Sequence, residues 1–241
     1  MTTLTTNAPA HAELHAVSNF SFLRGASHPE ELVERAADLG YAALALTDEC
    51  SLAGVVRAHA VAKARGLHLV VGSELTLSCG LRLVLLAMDR AGYARLSRLI
   101  TEARMAAPKG DYRVDRAMLD DGVPGCLALW LADPADERAQ ADGRWLAERF
   151  GERCRIAVER RLGPDERRRL AALERLGERT GIARVAAGDV HMHARGRRAL
   201  AEALAAIPLG ATGPRAGDAL PAALQPQLPP RRLRGAAVVR R

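Results

Sequence analysis

Ala183-Arg-Val-Ala-Ala-Gly-Asp-Val-His-Met-His193 is a short apolar run that stops in one carboxylate and two imidazoles. Residues 185–188 read as a buried strand, and the polar cluster begins where the strand stops. In a barrel or open sheet of parallel strands, ligands sit at the carboxyl ends of the strands, so Asp189 and His191 are placed to project into such a site. Two residues apart on extended chain, they point the same way. Such a pair can share a metal ion or can hydrogen-bond to each other at a rim; buried polar groups generally find protein partners.

Working outward, six more segments of strand length precede this one, at residues 13–17, 42–47, 68–74, 82–88, 126–131 and 154–158, with 184–188 the seventh. Helical patterns lie between most of them. Ser27-His-Pro-Glu30 offers a capping box with proline in the first turn, Gly40 closes that helix, and Leu32, Ala36 and Leu39 form its inward stripe. A second helix spans residues 51–65, with Leu52, Val55, Val56 and Ala60 inward and Gly66 as the stop. Asp89 starts a third, through Leu96, Leu99 and Ile100. Pro164 and Asp165 begin another, with Leu170, Leu173 and Leu176 inward, and the last covers residues 194–207. This β-α alternation predicts parallel strands joined by right-handed crossovers and wrapped into a nearly closed α/β barrel, with an open doubly wound sheet as the alternative.

The chain has 241 residues, enough for one such barrel. It has no apolar run of membrane-spanning length, and Met1 to Ala10 carries neither a basic segment nor an apolar core of the secretory kind, which predicts a soluble, cytoplasmic protein with no membrane partner. Cys50, Cys79, Cys126 and Cys154 are far apart and form no Cys-x-x-Cys pair, so reduced, mostly buried thiols are expected. From Ala211 on, six arginines stand against Asp218 alone, so most of the net charge of +7 lies in the tail and the body is nearly neutral. That distribution argues against a broad basic face for DNA. Six of the twelve prolines lie between Pro208 and Pro230. The expected organisation is a flexible segment at 1–11, a folded domain at 12–210 and a disordered or aberrant Pro/Arg-rich tail at 211–241.

Polar residues gather at the strand ends: Glu13 and His15, then Thr47-Asp48-Glu49, then Gly72-Ser-Glu74, Glu159, and Asp189 with His191. Taken singly, each such carboxylate is as well explained as a helix cap. Converging from several strands, carboxylates and imidazoles are what a divalent metal needs. His28, His59 and His68 sit at a helix start, a helix flank and a strand start, where solvated or satisfied imidazoles are the rule; His193 could extend the rim cluster, with less weight than His191. Trp130 and Trp145 read as packing residues rather than a stacking ladder for single strands.

The residues Glu13-Leu-His-Ala-Val-Ser-Asn-Phe-Ser-Phe-Leu-Arg-Gly-Ala-Ser27, Leu46-Thr-Asp-Glu-Cys-Ser-Leu-Ala-Gly54, Val71-Gly-Ser-Glu74, Leu83-Val-Leu-Leu-Ala87 and Gly188-Asp-Val-His191 occur in this order. Together they resemble the polymerase-and-histidinol-phosphatase (PHP) domain, in the version found at the N-terminus of bacterial error-prone DNA polymerases of the C family, over about residues 12–210. The resemblance implies a distorted seven-stranded β/α barrel, similar to a TIM barrel, with a metal cluster of zinc or manganese at its mouth in active, phosphoester-hydrolysing members. Matched to the family's metal positions are His15, Asp48, Glu74, Asp189 and His191, with Glu159 a looser match. Glu13, Arg24, Glu49 and Arg82 stand where that pattern has other residues.

A guanidinium offers no lone pair and keeps its proton, so Arg24 or Arg82 in a ligand shell deletes a donor and repels a cation. Both could instead form bidentate pairs with the nearby acids and stand in for the metal charge, leaving no cofactor in this chain. Alternatively, Arg82 merely points into solvent at a strand start. The resemblance then implies the N-terminal module of a translesion polymerase, a scaffold against palm and thumb that is inactive alone and reaches DNA through its parent, since no paired palm carboxylates occur here. The tail departs from the family where the polymerase should continue, as a premature end or shifted reading frame would. Alternative readings are a free-standing metal-dependent phosphoesterase and a non-catalytic protein that binds nucleic acid through its arginine tail.

Overall fold

The computed structural model describes residues 11–160, 164–207 and 228. Seven strands run in chain order around one sheet: β1 (Ala12–Ala16), β2 (Ala43–Leu46), β3 (His68–Thr76), β4 (Arg82–Ala87), β5 (Cys126–Trp130), β6 (Cys154–Glu159) and β7 (Arg184–Ala187). The helices are α1 (Pro29–Asp38), α2 (Val55–Arg65), α3 (Arg90–Met105), α4 (Ala139–Phe150), α5 (Glu166–Thr180) and α6 (Arg198–Ala206). An isolated parallel bridge between Ala16 and Val190 brings the first and last strands together, so the sheet is a nearly closed barrel.

The expectation of parallel strands throughout is corrected at β4. It pairs antiparallel to both β3 and β5, whereas β1/β2, β2/β3, β5/β6 and β6/β7 are parallel. The reason is length: a parallel crossover needs a dozen or more residues, but only residues 77–81 separate β3 from β4. They form a tight turn, with Leu77 N–H donating to Leu81 O at 2.8 Å and Gly80 at φ +87°. Reversal has a functional consequence. β4 begins at the mouth where the parallel strands end, which brings Arg82 opposite Thr76 at the rim.

Helix details also differ from the sequence pattern. α1 is capped one residue later than expected, with His28 N–H donating to Glu31 Oε2 at 2.8 Å. Ser27 is engaged elsewhere: its hydroxyl accepts His193 N–H at 2.9 Å and bonds to the His193 ring at 2.8 Å. α2 begins at Val55 rather than at residue 51, and its inward face is Ala58 and Ala62, while Val56 and Ala60 are exposed. α3 starts as expected, Asp89 Oδ1 accepting Gly92 N–H at 2.7 Å. α4, which buries Leu146 and Phe150, has no counterpart among the expected helices. The segment at 194–207 opens as a 3-10 turn over Arg195–Arg197 before α6.

Inside the barrel, Ala45, Val84, Leu86, Leu129, Ala157 and Ala187 fill the lumen from alternating strand positions. Outside, two larger clusters lie under the helices, one around Leu83, Leu96 and Trp130 and one around Leu32, Leu44 and Leu46. Leu228 is buried against the second. Otherwise, the expected flexible start and Pro/Arg-rich tail lie outside the described residues, except that His11 O accepts Ala42 N–H at 2.7 Å. All four cysteines are free; burial pushes the thiols of Cys50 and Cys126 up to about 11 and that of Cys154 up to about 12. Among the described residues, no helix is long and apolar enough to cross a membrane.

Candidate metal centre and its ion pairs

Near the end of β1, His15 is fully buried at the barrel mouth, between acids on β3 and β6. Its Nδ1 lies 2.8 Å from Glu159 Oε1 at the end of β6, and its Nε2 lies 3.1 Å from Glu74 Oε2 on β3. Asp189 Oδ1 is 3.8 Å from the same Nδ1. Burial lowers the His15 pKa, but the hydrogen bonds to Glu159 and Glu74 and the charges of Asp189 and Glu159 outweigh it, so the imidazole is held well above its ordinary value.

Glu74 is the hub. Its chain neighbour across the mouth is the segment after β2, where Cys50 N–H donates to Glu74 O at 2.8 Å and Glu49 forms an isolated bridge with Glu74. Arg24 Nη2 donates to Glu74 Oε2 at 2.8 Å, Arg24 Nη1 to Glu49 Oε2 at 2.7 Å, and Arg82 Nη2 to Glu74 Oε1 at 2.6 Å. Neither arginine makes the bidentate fork expected from sequence. Arg24 spans two carboxylates, and Glu74 receives one nitrogen from each guanidinium. Burial opposes ionisation of Glu74, but the His15 bond and the cations His15, Arg24 and Arg82 hold it well below the carboxylate range. In the reverse direction, burial works against the charged form of both arginines, yet Glu74 raises each of them.

Asp189 and His191 do meet, His191 Nε2 lying 2.8 Å from Asp189 Oδ1. The extended geometry expected for them is not what brings them together: Asp189 has φ +49°, a left-handed kink at the end of β7. Burial raises the Asp189 pKa, but the bond to His191 and its charge dominate and hold it well below the ordinary value.

Asp48 sits apart from this cluster. Its Oδ1 accepts Ser18 N–H and Ser21 Oγ–H, both at 2.7 Å, and its Oδ2 accepts Ser18 Oγ–H at 2.8 Å. These bonds tie down the loop from β1 to α1, which Gly25 lets fold tightly: a Cβ there would stand 1.9 Å from Ser18 O. Burial raises the Asp48 carboxyl against those bonds. Glu13 also faces backbone, its Oε1 accepting N–H groups of Leu14, His15 and Gly188.

Two groups at the mouth escaped the sequence pattern. Tyr112 donates its hydroxyl to Glu49 Oε1 at 2.8 Å and accepts Thr76 N–H at 3.0 Å; burial, with the Glu49 charge, pushes it up to about 12. Arg104, at the end of α3, stacks over the Tyr112 ring at 5.2 Å and donates to Glu49 O and Cys50 O. Tyr112 lies in a loop without hydrophobic period and Arg104 in the last turn of α3 outside its buried stripe, so no sequence period points either one at the mouth. His193, bonded to Ser27, does not enter the cluster of carboxylates around His15. His28 bonds to Asn19 Nδ2 at 2.9 Å, away from the mouth.

His15, Glu159 and Asp189 each bring one ligand atom within 4.8 Å of the others, a grouping able to hold one metal ion. A larger cluster does not fit the arrangement as it stands, because both Glu74 oxygens face guanidinium nitrogens and Glu49 is shared between Arg24 and Tyr112.

A family model described as the PHP domain matches residues 13–162. Among curated relatives, an error-prone DNA polymerase of Methylococcus capsulatus (strain ATCC 33009 / NCIMB 11132 / Bath) is 58% identical over 200 residues, covering 83% of this chain and 19% of its own length. One from Dechloromonas aromatica (strain RCB) is 54% identical over 217 residues, covering 88% of this chain and 21% of its own length. The chain therefore spans about a fifth of the length of these relatives. Among solved structures, an amidohydrolase from Chromobacterium violaceum, with bound sulfate and no metal, superposes with a TM-score of 0.57 at 19% identity, covering 76% of this chain and 88% of that one. A Bifidobacterium adolescentis protein assigned as a metal-dependent phosphoesterase does so with a TM-score of 0.53 at 17% identity and the same coverage. At these identities the likeness concerns the fold.

Proposed function

Because the chain belongs to the PHP domain family, we propose that it is the PHP module of an error-prone DNA polymerase in which ion pairs have taken the structural place of a metal cluster. The two-metal carboxylates of nucleotidyl transfer would then lie in the part of the relatives that this chain does not match. In the parent, this module is a scaffold in the cytoplasm against palm and thumb. DNA synthesis past damage, and with it repair, is the activity of the whole polymerase.

The observation that carries this reading is Glu74: almost wholly buried, it meets Arg24 on one oxygen and Arg82 on the other, with His15 at 3.1 Å. A cluster of acids at a barrel mouth needs positive charge, and here three side chains supply it. Arg24 and Arg82 keep their protons at any pH a protein survives, so they compete with a metal ion permanently. Thermal unfolding with and without EDTA tests this. An unchanged midpoint is expected, and a fall on chelation would show that a metal holds the mouth together.

A second reading rests on the three ligand atoms of His15, Glu159 and Asp189. A divalent ion bound there would supply Lewis-acid charge for phosphoester hydrolysis. His191 would orient Asp189 through their 2.8 Å bond. It predicts manganese-dependent phosphate release from a simple phosphoester, lost in His191→Ala. No release at any manganese concentration removes it.

A further inference from the structure

The barrel closes where its sheet is thinnest. Among the described residues β1 and β7 form no ladder; they meet through the single bridge at Val190, with Val17 N–H donating to Val190 O at 2.8 Å and Val190 N–H to His15 O at 2.9 Å. On its other side β1 slips register against β2 between Glu13 and Ala16, a bulge at Leu14 and His15. A bulge disrupts the ladder locally, and β7 has already ended before Gly188. Buried and half-buried amides of this kind need acceptors.

One atom serves all three. Glu13 Oε1 accepts Gly188 N–H at 2.6 Å, Leu14 N–H at 3.1 Å and His15 N–H at 3.2 Å, and the residue is fully buried. Gly188 immediately precedes Asp189, and His15 carries the imidazole at the centre of the mouth. A single carboxylate oxygen thus fixes the backbone at His15 and at Gly188, the residue before Asp189, and the side chains of His15 and Asp189 stand 3.8 Å apart across a seam that no ladder joins.

We infer that Glu13 is a positioning residue: a clasp across the β1–β7 seam that sets the spacing of His15 and Asp189. This role is independent of whether the mouth holds a metal or only ion pairs. It also accounts for an acid on a buried strand position, where an apolar side chain would pack but would remove the acceptor that these three amides share.

Amide exchange by NMR on the full chain tests the clasp in three variants. Glu13→Gln keeps a carbonyl oxygen at the same reach and should retain protection at Gly188 and His15. Glu13→Ala removes the acceptor, and exchange at those two amides should rise by about tenfold or more. Glu13→Met keeps length and apolar volume, so that a folded acceptor-free variant exists if alanine does not fold. The His15 ring nitrogen shifts should move in Glu13→Met and return in Glu13→Gln, which general loosening would not produce. Unchanged protection at Gly188 in the acceptor-free variants, a rise spread evenly over the barrel, or Glu13→Gln behaving like Glu13→Met would each overturn the assignment.

Discussion

On the β2–β3–β4 side of the mouth the carboxylates face guanidinium; on the β1–β6–β7 side they face imidazole. Glu49 and Glu74 meet Arg24 and Arg82, whereas Glu159 and Asp189 meet His15 and His191. Glu74 belongs to both halves, since His15 lies on the same Oε2 as Arg24. Guanidinium never gives up its proton, so the first half is fixed in charge. Imidazole can exchange a proton for a metal ion, so the second half is where residual chemistry could survive. The two halves should therefore respond differently to substitution, to pH and to added metal.

The largest effect is expected at the shared residue. Glu74→Ala leaves Arg24, Arg82 and His15 without their common counter-charge and should destabilise the fold by about 3 kcal/mol in urea unfolding, the low end for a broken buried pair because both guanidinium groups keep some contact with water. A loss below about 0.5 kcal/mol would mean that the arginines find other partners at no cost.

The halves separate next by pH. His15 is raised well above 6.5 in the folded chain, so the stability contributed by its imidazolium is fully present below pH 6.5 and is lost as pH rises through the raised value. Stability of the native sequence should thus decline on the alkaline side of pH 6.5, by at most about 1.4 kcal/mol per pH unit. His15→Gln should flatten that slope. Removing Arg24 should lower stability without producing a new slope near neutrality.

A smaller difference is expected within the guanidinium half. Arg24 bridges two acids, while Arg82 reaches one and is the more exposed, 39% against 26%. Arg24→Met should cost more than Arg82→Met, the latter about 1 kcal/mol; equal losses would show that the bridge to Glu49 contributes nothing. The smallest effect belongs to pairs outside the mouth. Arg65→Ala, which removes the exposed pair with Asp38, should stay within about 0.5 kcal/mol.

Much of the barrel is legible because each strand is an apolar run bounded by turn residues, because α3 and α5 bury pairs of leucines, and because α1 buries Leu32, Val33 and Ala36 on one face. The inward face of α2 is not legible, because its buried residues are the alanines 58 and 62 while the equally apolar Val56 and Ala60 are exposed. The direction of β4 is not legible in its own residues, because the pattern of a buried strand is the same both ways along the chain; only the length of the 77–81 turn fixes its sense. At the mouth, the convergence of His15, Glu74, Glu159 and Asp189 follows from strand ends alone. Arg82 does not: it starts a strand, and reaches the rim only through the reversal of β4. Tyr112 and Arg104 approach from a loop and a helix end, where no sequence period points inward.

Metal content of the purified chain, prepared without chelators and measured by plasma mass spectrometry, bears most directly on whether guanidinium has displaced the metal. The ion-pair account predicts well below one zinc or manganese per chain, with Arg24 and Arg82 supplying the charge. One or more tightly held ions per chain would contradict it and would make the imidazole half, with His15, Glu159 and Asp189, the centre of the protein's chemistry.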